Sequence, residues 1–218
     1  MLMKTQYDNS RFDLPKAIAG FESINRYWDT TNNIYAAKIL PGEFYVTMTG
    51  ELITTVLGSC VSACVRDKAT GIGGMNHFML PADISRAAKT WTNTPVNAQT
   101  RYGNIAMERL INVILAGCVK RQNLEIKLFG GGKVLQIDTD IGGKNIDFVK
   151  RYLDTEGLAI AAEDIGGIKP RKIQYFPNTG RARVKILNCQ HNDTLTKRES
   201  SYIDTINNAP VEGKIDLF

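Results

Sequence analysis

Between Pro41 and Pro81 the chain is cut into short β-forming runs by turn signals spaced too closely for helices. Phe44-Tyr45-Val46-Thr47-Met48 alternates as a strand, Thr49-Gly50-Glu51 turns, and Leu52 to Leu57 forms a second strand. Gly58-Ser59 interrupts the pattern before Cys60. Val61 to Arg66 resumes it, Asp67 to Gly71 turns again, and Ile72 to Leu80 reads as a further strand closed by Pro81. Four neighbouring strands with such short links favour antiparallel pairing, which needs no crossover helix.

Downstream, residues 82–100 have no clean period and read as a loop. A helix is expected from Thr100 or Asn104 to about Ala116, with Ala106, Leu110, Val113 and Ile114 as its apolar stripe and Gly117 as its stop. Glu125 to Phe129 is a strand running into Gly130-Gly131-Gly132. A second helix, about Asn145 to Thr155, carries Ile146, Val149 and Leu153 on one face and stops at Gly157. Leu158 to Asp164 is a strand, and Lys172 to Phe176 with Arg181 to Leu187, joined by Pro177-Asn178-Thr179-Gly180, form a hairpin. The pattern predicts an α/β layered fold with a mixed, largely antiparallel β-sandwich-like core and two or more covering helices, not a doubly wound parallel sheet. Residues 1–37 read as an arm with spaced aromatics and a short helix after Pro15, residues 38–190 as the folded domain, and residues 191–218 as a polar tail, partly ordered at best.

A chain of 218 residues, 43% hydrophobic, can bury one substantial core. It contains no apolar run long enough to span a bilayer, and its first residues lack a signal-peptide core, so a cytoplasmic protein not inserted in a membrane is expected. The net charge of +5 invites a nucleic-acid partner. Its basic residues are scattered along strand-like segments without interleaved stacking aromatics, so nucleic-acid binding is not expected. The four cysteines fit neither a disulfide framework nor paired zinc knuckles.

Cys60 stands where a strand leaves regular pairing, so backbone amides around Gly58 to Val61 are free to converge on one spot, as an oxyanion site requires. A free thiol is only slightly ionised near neutrality and needs a base. His77, one of two histidines, lies on a strand that can neighbour that of Cys60. The same residues admit a plainer explanation: a cysteine at a strand end is often a small buried apolar group, and a strand histidine a satisfied structural one.

The segments Pro41 to Val46, TTVLGSC (Thr54 to Cys60), VSACVRD (Val61 to Asp67) and GGMNHFMLP (Gly73 to Pro81) resemble the CheD family of bacterial chemotaxis. The similarity continues through RYGNIAME (Arg101 to Glu108), KLFGGG (Lys127 to Gly132), IGGKN (Ile141 to Asn145) and DIGG (Asp164 to Gly167) with Arg171. That resemblance implies a cysteine-dependent amidohydrolase that converts glutamine side chains of methyl-accepting chemoreceptors to glutamate, releasing ammonia through a thioester. It implies a fold similar to that of deamidase toxins of the cytotoxic necrotizing factor type. It also implies Cys60 as nucleophile, His77 as base and Thr54, six residues before the cysteine, as the group orienting the imidazole, with Gly58, Ser59 and Asn76 on the oxyanion or substrate side. Neither metal nor cofactor is required. The implied partners are the helical cytoplasmic part of chemoreceptors and a CheC-like phosphatase. Alternatives are a receptor- or CheC-binding adaptor with catalysis secondary, and a receptor methylesterase.

Other motifs resolve into plainer roles. No glycine follows Ser59 at the position a GxSxG elbow demands, and Gly130-Gly131-Gly132-Lys133 lacks the spacing and hydroxyl of a phosphate loop. Cys64 is expected in the core, Cys118 and Cys189 as structural thiols, and His191 without a role.

Overall fold

The computed structural model describes residues 14–81, 98–134, 140–188 and 193–208. Its strands are β1 (Asn25–Asp29), β2 (Ile34–Lys38), β3 (Phe44–Thr47), β4 (Leu52–Leu57), β5 (Val61–Asp67), β6 (Gly73–Asn76), β7 (Leu124–Gly130), β8 (Ile160–Ile165), β9 (Arg171–Phe176) and β10 (Arg181–Ile186). The helices are α1 (Ala98–Leu115), α2 (Ile141–Thr155) and α3 (Asp193–Asn208).

Two five-stranded mixed sheets form, in the orders β1-β2-β4-β9-β10 and β3-β6-β5-β7-β8. Among the described residues only β2·β4 and β7·β8 pair in parallel, so the largely antiparallel expectation holds. Consecutive strands β4 and β5 sit in different sheets, and the Gly58-Ser59-Cys60 link carries the chain between them. Residues of both sheets, among them Ile53, Leu57, Ala63 and Val65, share one core with Leu110, Val149 and Leu153 of the helices. Five of the six β4 residues are buried, as a strand covered on both faces must be.

The N-terminal segment is more than an arm. Residues 25–38 form a hairpin that joins the first sheet through β2, with Trp28 edge-on to Tyr35. Residues 15–18 are not helical; Pro15 instead offers its carbonyl to Arg26. The expected loop overlaps α1, which begins at Ala98, while residues 82–97 lie outside the described residues. The left-handed position after α1 falls on Cys118 (φ 60), an exposed residue, rather than on Gly117. Gly157 ends α2 as expected, at φ 64. Residues 193–208, read as tail, form a helix with Leu195, Glu199 and Ile206 buried.

Candidate active site

The link between β4 and β5 is pinned by its carbonyls. Gly58 O accepts from Gly132 N (2.7 Å), Cys60 O from Gly131 N (2.7 Å), and Ser59 O from Asn145 Nδ2 (2.8 Å). Within a planar trans peptide the carbonyl and the following amide point opposite ways, so the pinned Gly58 carbonyl turns Ser59 N–H away from the Gly131-Gly132 side, whereas the amide after Cys60 O, Val61 N, bonds back into the fold at Phe78 O. Gly130 makes this approach feasible: it adopts φ 104, and a Cβ there would stand 2.3 Å from Cys60 O. Asn145 is fully buried and its Oδ1 also accepts from Leu80 N (2.8 Å), so α2 ties the link to the end of the His77 strand.

Val61 and Phe78 exchange both backbone hydrogen bonds, each 3.0 Å. The Phe78 ring packs edge-on to Phe148 of α2. This bridge places Cys60 and His77 at diagonal positions on the two paired segments. The His77 amide and carbonyl are engaged by Glu43 O (2.9 Å) and Gly42 N (2.7 Å), which fixes its backbone.

His77 Nδ1 lies 2.8 Å from Thr55 Oγ1, and that hydroxyl also donates to Ile39 O at 2.8 Å. A hydroxyl has one proton. With it committed to Ile39, Thr55 must accept from Nδ1–H, leaving Nε2 with its lone pair. Nε2 is buried and without a hydrogen-bond partner among the described residues. Burial, reinforced by the positive charge of Arg198, lowers the His77 pKa from 6.5 to about 3, so the ring is neutral and its Nε2 unprotonated.

The threonine on the imidazole is thus Thr55. Thr54, expected in that role, points to the other side of β4 and donates to Ile173 O at 2.8 Å. Asn76, expected on the substrate side, uses its amide structurally: Oδ1 accepts from Ala63 N and Nδ2 donates to Ala106 O, bridging β5, β6 and α1. Gly58 and Ser59 are at the link as expected, and Cys64 is buried in the core. Cys189 and His191 lie outside the described residues. No cluster able to hold a metal ion occurs among the described residues.

The outward amides are met by a residue without a role in the sequence reading. Glu199 of α3 is fully buried; its Oε1 accepts from Gly58 N (2.8 Å), and its Oε2 from Ser59 N (3.0 Å) and Ser59 Oγ (2.7 Å). Cys60 is inaccessible beneath it. Burial pushes the Cys60 thiol well up, and the Glu199 charge and its hydrogen bond to the thiol push it further. Of the residues missed by sequence, only Glu199 left a signal: Leu195, Glu199, Tyr202 and Ile206 recur at one helical face.

The family profile described as CheD, chemotactic sensory transduction, matches residues 79–186. Over 212 residues, 97% of this chain and 98% of the relative, the chain is 53% identical to a protein of Halorhodospira halophila named probable chemoreceptor glutamine deamidase CheD. The chain belongs to the CheD family. Relatives of the same name from Hahella chejuensis (48% identical, 94% of this chain and 95% of the relative) and Hydrogenovibrio crunogenus (52%, 87% and 97%) agree. This CheD protein thus matches its relatives over nearly their whole length, including Gly58 to Cys60, which lie outside the profile match. No helix among the described residues is long and apolar enough to cross a membrane.

Proposed function

We propose that this protein hydrolyses glutamine side chains of chemoreceptors to glutamate and ammonia. The observation that carries the reading is the convergence of backbone amides on one carboxylate beside a buried thiol, with an imidazole held as the Nε2-basic tautomer across the strand. The amides occupy the place where a tetrahedral oxyanion would need donors. The Cys60 thiol passes its proton to His77 Nε2 as Sγ attacks the carboxamide carbon. The oxyanion forms against Gly58 N and Ser59 N. Its collapse breaks the C–N bond, and His77 returns the proton to the departing ammonia. Water then attacks the thioester with His77 as base, giving glutamate and the free thiol. Thr55 acts as a positioning residue, holding Nδ1–H so that Nε2 faces the chemistry.

The test is to incubate a chemoreceptor cytoplasmic segment with the protein and follow ammonia release together with peptide masses. Conversion of particular glutamines, lost in Cys60→Ala, supports the reading; release of methanol from methylated receptor without ammonia overturns it.

A further inference from the structure

The carboxylate seated on the oxyanion donors belongs to the protein itself. Glutamate is the product of amide hydrolysis at glutamine, and the two side chains have the same length and shape. Glu199 reaches Gly58 N, Ser59 N and Ser59 Oγ from a regular helix, so the seat accepts a helix-borne side chain without unwinding its backbone. The seat is also shaped for this group. A Cβ at Gly58 would stand 2.7 Å from both Glu199 oxygens, so the absent side chain is the room the carboxylate fills.

The rest of the helix is placed as a ligand would be. Leu195 and Ile206, one turn before and two turns after Glu199, are buried. Between them the Tyr202 hydroxyl meets that of Tyr102 on α1, and it lies 2.6 Å from where a Cβ on Gly42 would be. Gly42 and Tyr102 both line the cleft that opens beside His77. The face of α3 therefore lies along the nucleophile, the oxyanion donors and the base together. A helix of this length is marginal alone in water, so its order depends on that seat.

We propose that the groove under α3 is the docking surface for the substrate helix, and that α3 is a tethered product mimic that occupies it until a receptor helix displaces it. This rests on the deamidase reading above. It adds a flanking pattern to the helical glutamine that the resemblance already implies: apolar residues on the same face one turn before and two turns after, with a hydrogen-bonding aromatic between. It also adds a regulation, since Cys60 becomes reachable only when α3 leaves.

The decisive variant is Glu199→Gln in the full chain, which turns the mimic into a substrate. The carboxamide introduced at position 199 plus water gives glutamate and ammonia there. Expression with Cys60→Ala as control, followed by incubation in heavy-oxygen water and peptide mass measurement, reads the conversion. Expected is a label at position 199 that requires Cys60 and whose rate does not depend on protein concentration. A carboxamide that persists at position 199, in a preparation that deamidates receptor helices, overturns the proposal and leaves the deamidase reading standing. Failure on receptor helices by the wild type and by Glu199→Ala alike overturns the deamidase reading and this proposal with it.

Alkylation of Cys60 in the otherwise native chain gives a second readout. Removing charge-assisted hydrogen bonds by Glu199→Ala is expected to speed iodoacetamide modification of Cys60 by about tenfold or more. An unchanged rate overturns the tethered-mimic proposal.

Discussion

The two sides of the Gly58-Ser59-Cys60 link are built differently. Its carbonyl side is held by Gly131, Gly132 and Asn145, groups embedded in the folded body. Its amide side is satisfied by a single carboxylate on a helix near the C-terminal end. The contrast separates what must stay fixed for the oxyanion donors to point correctly from what must leave for a substrate to use them. Electrostatic preorganisation needs the first, and access needs the second.

The contrast can be broken at several strengths. Cys60→Ala should cost on the order of 10⁴-fold or more in turnover, measured as ammonia release, as removal of a nucleophile does in other hydrolases. It should leave both sides of the link in place, since Glu199 keeps its donors on Gly58 and Ser59. Asn145→Ala attacks the fixed side alone. It strands Ser59 O and Leu80 N in the interior, at about 1–3 kcal/mol for each orphaned group, read as a lowered denaturation midpoint. Activity should fall with it, and displacing α3 should not restore the loss, whereas Glu199→Ala should raise access. If the two substitutions changed activity in the same direction, the division into fixed and exchangeable sides would fail.

A finer test compares the adjacent threonines. Thr55→Val removes the acceptor of Nδ1–H and should reduce kcat by roughly tenfold or more, because the imidazole loses its fixed tautomer. Thr54→Val should lower stability by about 1 kcal/mol through the lost bond to Ile173 O and leave kcat nearly intact.

A separate test is the pH dependence of stability. The folded protein holds His77 at about 3 against 6.5 for the free group, so the unfolded chain binds more protons between these values. Stability contributed by the neutral ring is complete above about pH 6.5 and is lost as pH falls toward 3. His77→Gln should flatten the melting temperature over that window. Arg198→Ala should make the loss smaller, because removing a repelling charge brings the folded pKa closer to the free value.

Sequence carried the strands from β3 to β10, the hairpin at Pro177 to Gly180 and both main helices, because turn signals and alternation are local properties. It could not assign the threonine. In a strand buried on both faces, Thr54 and Thr55 carry no parity signal, and only the placement of β4 against Ile39 and His77 separates them. Asn145 was legible only as an early residue of a helix, since its two bonds reach partners far away in the chain. The role of α3 escaped because its low apolar content concealed a narrow stripe with a charge at its centre, and such a charge makes sense only opposite unpaired amides. The N-terminal hairpin was missed for a similar reason: its aromatics Trp28 and Tyr35 pack on each other, not in an amphipathic repeat.

The Thr55 hydroxyl has one further consequence. Its proton is claimed by Ile39 O, at the end of the strand that the N-terminal hairpin contributes. Were that carbonyl moved, the hydroxyl would be free to rotate and donate to Nδ1, and the imidazole would carry its hydrogen on Nε2 instead, where it cannot take one from a thiol. The chemical competence of a ring on one sheet is thereby wired to the seating of a hairpin on the other, and a loosened N-terminus would silence the enzyme without touching a single reacting atom.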